Sequence, residues 1–265
     1  TAFVREMYPK LLKYHKWWYA KRDHDKNHIC EFGSVDGTLV AAAWESGMDN
    51  AIRFDGTKML QNGPDAWSTD QESVDLNAYL SLEYTLLKKF AALLDEPFLL
   101  PDYRSMVADY FFDKKDGFFY DRRMNATRDF VREAGCEGYI PFWANIATKE
   151  QFAKARKLLD NKKEFSTYIP FPTIAADNPK YAPTGYWRGP IWLDQTYYGI
   201  KGYRNYGEGK KADAYTDQVF RNIEGLTEGA PIYENYDTHT GKPMQASHFS
   251  WSAACLLMLY NDYGK

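Results

Sequence analysis

Cysteine is scarce in this chain, charge is nearly balanced, and no long apolar run occurs. Cys30, Cys136 and Cys255 are three in number and far apart. They form no C-x-x-C pair and no Cys/His cluster, which argues against a zinc site and against a disulfide scaffold. Cys255 lies in the apolar run SAACLLML and reads as a small buried hydrophobe. No stretch approaches the roughly 18 apolar residues of a membrane-crossing helix, so no membrane role is expected. No signal peptide is evident, and Thr1 reads as a processed or truncated start. The compartment stays open on residues alone; a periplasmic or secreted setting is favoured over a cytoplasmic one. A net charge of −3 gives no basic footprint, so nucleic acid is not an expected partner. No repeat at a fixed period supports a solenoid.

Aromatic residues, by contrast, are abundant: 21 Tyr, 16 Phe and 8 Trp, 17% of the chain. Such a supply builds a core, and it also suits a cleft that stacks flat, partly apolar rings such as sugars. Hydrophobic residues at 45% and charged residues at 26% are the usage of a globular protein, and 265 residues can bury a sizeable core.

Helical periodicity marks seven segments. The first is FVREMYPKLLKYHKWWYAKRD, with Pro9 bending it or starting its longer part. Ser73 or Asp75 caps DLNAYLSLEYTLLKKFAALL, where Leu76, Leu80, Leu87 and Leu94 recur at turn-related spacings. Further helices are expected over 101–114, from Thr148 with Glu150 in the first turn, from near Ile191, over 209–227 and over 248–262. GFFYDRRMN reads as a short extended piece. From His24 to about Gln71 the pattern fails, and glycines punctuate a long loop. The expected fold class is all-α, with helices paired around a centre and long aromatic-rich loops at one end.

Three of those loops mix acids or arginine with Trp and Tyr. They are WESGMDN followed by Arg53, GYWRGPIW (185–192), and PIYENYDTHTGKP (231–243) followed by SHFSW. Two carboxyl groups can cleave a glycosidic bond if one is held protonated and the other ionised, a difference set by environment. The first loop offers Asp49 or Glu45 and the third offers Glu234 or Asp237. Arg188 suits a hydroxyl or an acid. Trp187, Trp192, Trp251 and Tyr186 suit stacking walls. Against this, Asp49 serves equally as a turn cap, Arg188 as a structural partner of Asp194, and Asp237, beside Thr238 and Gly241, is better read as a turn.

Together the three stretches resemble glycoside hydrolase family 63, inverting α-glycosidases with an (α/α)6 barrel, and in particular its bacterial α-glucosidase branch. WESGMDNAIRF is similar to the family's general-acid segment and to the E-S-G-x-D-x-x-x-R motif of the related trehalases, which puts the general acid on Asp49. YENYD resembles the segment carrying the general base, which falls on Glu234. YWRGPIW resembles the loop between them. The resemblance runs from about Cys30 to the C-terminus. It implies an oligosaccharide or disaccharide substrate, most simply a short α-glucoside, with water as co-substrate and no required cofactor. Trehalase-like or mannosylglycerate hydrolysis, or sugar binding without turnover, are the alternatives. Trp44, Glu45, Arg53, Tyr186, Trp187, Arg188, Trp192, Tyr233 and Trp251 become expected substrate contacts, Glu45 alternatively supporting its loop. Seven helices are fewer than a complete barrel holds. Residues 1–265 are therefore expected to be the C-terminal part of one catalytic domain, associated with an N-terminal remainder. Oxygen-rich residues such as Asp75 and Asn77 leave a structural Ca²⁺ open, and no stretch is read as an EF-hand loop.

Overall fold

In a computed structural model of the chain, residues 2–265 are described; Thr1 lies outside the described residues. The first helix, α1 (Ala2–Lys21), keeps Pro9 inside it and buries Tyr8, His15 and Trp18. A proline there removes one backbone hydrogen bond, a loss that the buried face offsets. Residues 24–71, expected as a loop, instead form β1 (Glu31–Ser34), α2 (Leu39–Ser46), a single 3₁₀ turn, β2 (Met59–Gly63) and β3 (Ala66–Glu72). Both β1 and β2 pair antiparallel with β3. The reason is visible in β3 itself, AWSTDQE: its last five residues are all polar, so no alternation of apolar and polar positions marks it as a strand.

Next comes α3 (Val74–Leu94), which packs along α1. Its Leu76, Leu80, Leu87 and Leu94 are all buried, as their spacing predicts. Ser73 occupies the N-cap position but makes no capping bond. The Val74 N–H donates instead to Asp121, 47 residues away (2.7 Å). After α4 (Arg104–Tyr110), a small hairpin forms from β4 (Phe112–Asp113) and β5 (Phe118–Phe119), and β6 (Arg122–Arg123) adds to β3. Then follow α5 (Ile140–Trp143), α6 (Lys149–Leu159), α7 (Leu193–Asn205), α8 (Gly209–Asn222), the hairpin of β7 (Tyr233–Tyr236) and β8 (Pro243–Ser247), and α9 (Ser250–Asp262). Thr148 caps α6 in a full capping box with Gln151.

Among the described residues there are nine α-helices rather than seven, and three small antiparallel sheets, so the chain is not all-α. The two missed helices, α2 and α5, are short. Helix α7 sits at the middle of the helical packing, against α5, α8 and α9. Much of the aromatic surplus is core rather than cleft: Phe142 meets Phe152 edge-on at 5.2 Å, and Phe171 meets Tyr215 at 5.1 Å. The three cysteines are buried and free. Among the described residues no helix is long and apolar enough to cross a membrane.

Candidate active site

Helix α2 delivers Asp49. Thr38 caps its start by accepting the Ala41 N–H, and Gly47 ends it at φ 76 with its own N–H on the Trp44 carbonyl. That left-handed end is a position where glycine meets no Cβ penalty, and it turns the chain off the helix axis. Beyond it Met48 and Ala51 are buried while Asp49 and Asn50 face outward. The Met48 sulfur accepts from Arg53 Nη2 (3.5 Å) and from the Cys136 thiol (3.7 Å). Asp49 therefore rides on a short turn pinned from below. Partial desolvation raises its carboxyl pKa, its own backbone N–H opposes, and the Glu234 charge adds to the rise.

Glu234 lies on β7, not in a loop, at a point where the β7–β8 register shifts between Tyr233 and Asn235. Bulges of this kind re-aim a side chain. Its Oε1 accepts the Tyr186 hydroxyl (2.8 Å), and its Oε2 lies 3.4 Å from the Ala246 N–H. Ser252 on α9 donates to the Glu234 carbonyl (3.1 Å), which ties the bulge to that helix. Asp237 closes the hairpin turn by accepting from the backbone of His239 and Thr240, as its turn reading predicts.

The GYWRGP segment joins the two. Asn50 donates to the Gly185 carbonyl (3.1 Å) and accepts the Trp187 N–H (2.9 Å). Ile191 and Tyr236 exchange both backbone hydrogen bonds (2.9 and 3.0 Å), so the segment is bound to the Glu234 strand as well. Tyr186 sits at φ 65, a left-handed conformation uncommon for an aromatic residue, and Trp192 Nε1 holds its carbonyl at 2.9 Å. Burial, the hydrogen bond and charge of Glu234, and the charge of Asp49 push the Tyr186 hydroxyl up to about 12.

Several expected substrate contacts are placed elsewhere. Arg53 is 1% exposed and paired with Asp75 through two bonds (2.8 and 2.7 Å) and with Asp121 (3.3 Å), so it cannot touch a sugar. Trp187 and Trp192 are buried and stacked on each other at 4.1 Å and 13°; their faces serve one another. Glu45 takes a forked bond from Arg22 and the Gly33 N–H, which makes it a support of its segment. Arg188 gives Nη1 and Nη2 to Asp55 (3.0 and 3.1 Å), not to Asp194. Asp75 and Asn77 are likewise spoken for: Asp75 is held by Arg53 and Asn77 bonds the Cys30 backbone, so they hold no calcium. Trp44 (62% exposed) and Trp251 (54%) keep open faces, and Tyr233 is half-buried. A cavity of about 350 Å³, lined by residues including Tyr14, Trp18, Glu45 and Glu83, contains neither Asp49 nor Glu234. Asn50 and Asp55 carry no distinguishing mark in the sequence; their one signal, a place beside Asp49, says nothing of partners 130 residues away.

The chain matches, over residues 1–252, the family described as the mannosylglycerate hydrolase MGH1-like glycoside hydrolase domain. It is 26% identical to mannosylglycerate hydrolase MGH1 of Selaginella moellendorffii, aligning 98% of this chain with 61% of that protein. With the mannosylglycerate hydrolase of Thermus thermophilus identity is 25%, over 96% of this chain and 70% of the relative. The crystal structure of a GH63 mannosylglycerate hydrolase from Thermus thermophilus in complex with glucose superimposes with a TM-score of 0.77 at 21% identity, over 97% of this chain and 68% of that one. The chain thus spans about 61% of the length of the Selaginella relative. Its fold is the one found in that structure, and the relatives named are mannosylglycerate hydrolases rather than α-glucosidases. By the match over nearly its whole length, the chain belongs to the MGH1-like domain family of glycoside hydrolase family 63, as its three motifs implied.

Proposed function

We propose that this chain carries the acid–base pair of an inverting glycoside hydrolase, with Asp49 as general acid and Glu234 as general base. One observation carries the reading. Two carboxyl groups far apart in sequence act on one tyrosine hydroxyl, and burial together with the charge of Glu234 raises the pKa of the exposed Asp49. A protonated Asp49 gives its proton to the leaving oxygen as the glycosidic C–O bond breaks. Glu234 takes a proton from the water whose oxygen attacks the anomeric carbon from the opposite face. Exchange with solvent then resets both groups. Tyr186 fixes the orientation of Glu234, and Trp44 and Trp251 supply open stacking faces.

The substrate favoured is an α-linked hexoside of a small hydroxy acid such as glycerate, ahead of a short α-glucoside. Its support is the activity for which the relatives are named. The chain is read as one unit of an (α/α)6 catalytic domain, associated with a further N-terminal part. The support is the share of the relatives' length that it spans.

The test is hydrolysis of mannosylglycerate, glucosylglycerate and α-linked disaccharides, followed by NMR. The first product should be the β-anomer. Asp49→Asn and Glu234→Gln should each lose roughly 10²–10⁴-fold in turnover with little change in melting temperature. An α-anomer first, or full activity in either variant, would refute the assignment.

A further inference from the structure

The stretch from Asn178 to Gly189 is tied to the acid turn by charges that the proposed chemistry does not use. Its start is held at Glu133, where Asn178 Nδ2 donates to Oε2 (2.7 Å) and Lys180 Nζ to Oε1 (2.8 Å). Its end is held at Asp55, which accepts Arg188 Nη1 and Nη2. Lys180 Nζ reaches the same Asp55 carboxylate at 3.3 Å. Glu133, Lys180, Asp55 and Arg188 thus alternate in sign, and Asp55 stands between the two cations. Arg188 Nη1 also donates to the Asn50 carbonyl (3.2 Å), so one guanidinium spans the turn from Asn50 to Asp55.

Between those ties the stretch is closed on itself. The Ala182 N–H donates to the Arg188 carbonyl (2.7 Å), Gly185 to Ala182 (2.8 Å) and Arg188 to Gly185 (3.2 Å). A Cβ at Gly189 would meet the Ala182 carbonyl oxygen at 2.5 Å, so the closure leaves no room for a side chain there. Thr173 and Thr238 hold Gly189 from the other side (2.9 and 2.6 Å). The swing of the closed turn about that point is then set by its ties to Asn50 and Asp55. Tyr186 lies inside the turn, and its hydroxyl donates to Glu234 Oε1 (2.8 Å). A shift of Arg188 is therefore passed to the proposed base.

We propose that Asp55 is a positioning residue for the base: by holding Arg188 and Lys180 it fixes the 178–189 stretch on the acid turn, and through Tyr186 it fixes Glu234 relative to Asp49. The inference rests on the reading of Asp49 and Glu234 as the acid–base pair. The hydrogen bond from Arg188 holds the Asp55 carboxyl below the usual carboxylate range, with partial burial opposing and Lys180 adding. Asp55 and Lys180 are 41% and 44% exposed, and Arg188 is 26% exposed. Ion pairs this open contribute little to stability and weaken in salt. What this one supplies is alignment, on which rate depends far more steeply than stability does.

The test uses the full-length protein and whichever of mannosylglycerate, glucosylglycerate and the α-linked disaccharides it hydrolyses. Asp55→Asn removes the charge at nearly constant shape. It should lower kcat by about tenfold or more while KM and melting temperature change little. Arg188→Gln should do the same, and the double variant should be no slower than the slower single one, since both break one link. Hydrogen exchange over 178–189 should quicken in Asp55→Asn, and in wild type at about 1 M KCl, with α3 unchanged. Unaltered exchange in Asp55→Asn would overturn the proposal whatever the substrate. So would a lower melting temperature with kcat intact, or losses that multiply in the double variant. The two readings fail separately. A fully active Glu234→Gln removes the base assignment, whereas a slow Glu234→Gln beside a full-rate Asp55→Asn removes only the role of Asp55.

Discussion

Asn50 is the residue on which the candidate site converges, though Asp49 beside it holds the chemistry. Its side chain bonds the Gly185 carbonyl and the Trp187 N–H, and its own carbonyl takes Arg188. It thereby sets where Tyr186, and through it Glu234, stands relative to Asp49. Neutral hydrogen bonds of this kind contribute about 1 kcal/mol each, so Asn50→Ala should cost little in overall stability. A small displacement at a reacting centre costs far more in rate. The expectation is a loss of about tenfold or more in kcat/KM with a melting temperature changed by only a few degrees. Steady-state kinetics paired with thermal melts decide it. A lower melting temperature with unchanged kcat/KM would make Asn50 a structural link and nothing more.

Just behind the acid turn, the 3₁₀ turn Ile52–Phe54 carries Arg53 into the core, where it meets the start of α3. Its guanidinium pairs with Asp75 in the first turn of that helix, and Asp121 caps the Val74 N–H while also reaching Arg53. Three elements are joined there through one cation. Taking away one partner of a buried pair leaves an uncompensated charge, a loss of about 3–5 kcal/mol. Arg53→Met should destabilise by that order in urea unfolding. Arg53→Lys should rescue little, because an ammonium cannot make the two parallel bonds to Asp75. A variant within about 1 kcal/mol of wild type would show that the cluster is replaceable by packing.

For the molecule as a whole, the same cluster makes stability depend on pH. Glu137 faces Arg53, Asp121 and Asp75. Burial pushes its carboxyl up to about 8 from 4.5, with Arg53 opposing and the two aspartates adding. Burial also raises Asp121. The folded state then holds a proton that the unfolded chain releases above pH 4.5. The resulting stability is full below that value and is lost as pH rises towards about 8. Wild-type melting temperature should fall across this window, and Glu137→Gln should flatten the fall. A wild-type profile that stays flat between about pH 5 and pH 9 would contradict that sign.

How much was legible in advance depended on how far a residue's partners lie along the chain. The long helices could be read because a buried face repeats every few residues, as Leu76, Leu80, Leu87 and Leu94 do in α3. The family could be read because WESGMDN, YWRGPIW and YENYD occur in order. The small sheet was hidden because β3 is short and polar and holds its place only by pairing on both edges.

Side-chain fates were another matter. Arg53, Glu45, Arg188 and Trp192 carry the residue types of a sugar cleft, and type is all that a sequence displays. Arg53 is claimed by Asp75 and Asp121, Glu45 by Arg22, Arg188 by Asp55 and Trp192 by Trp187. The sequence by itself determined the periodic helices and the ordered motifs, since both are written in neighbouring residues. Only the tertiary structure decided which acids are free and which are bound, because a charge buried in protein must be met by whichever opposite charge the fold brings near.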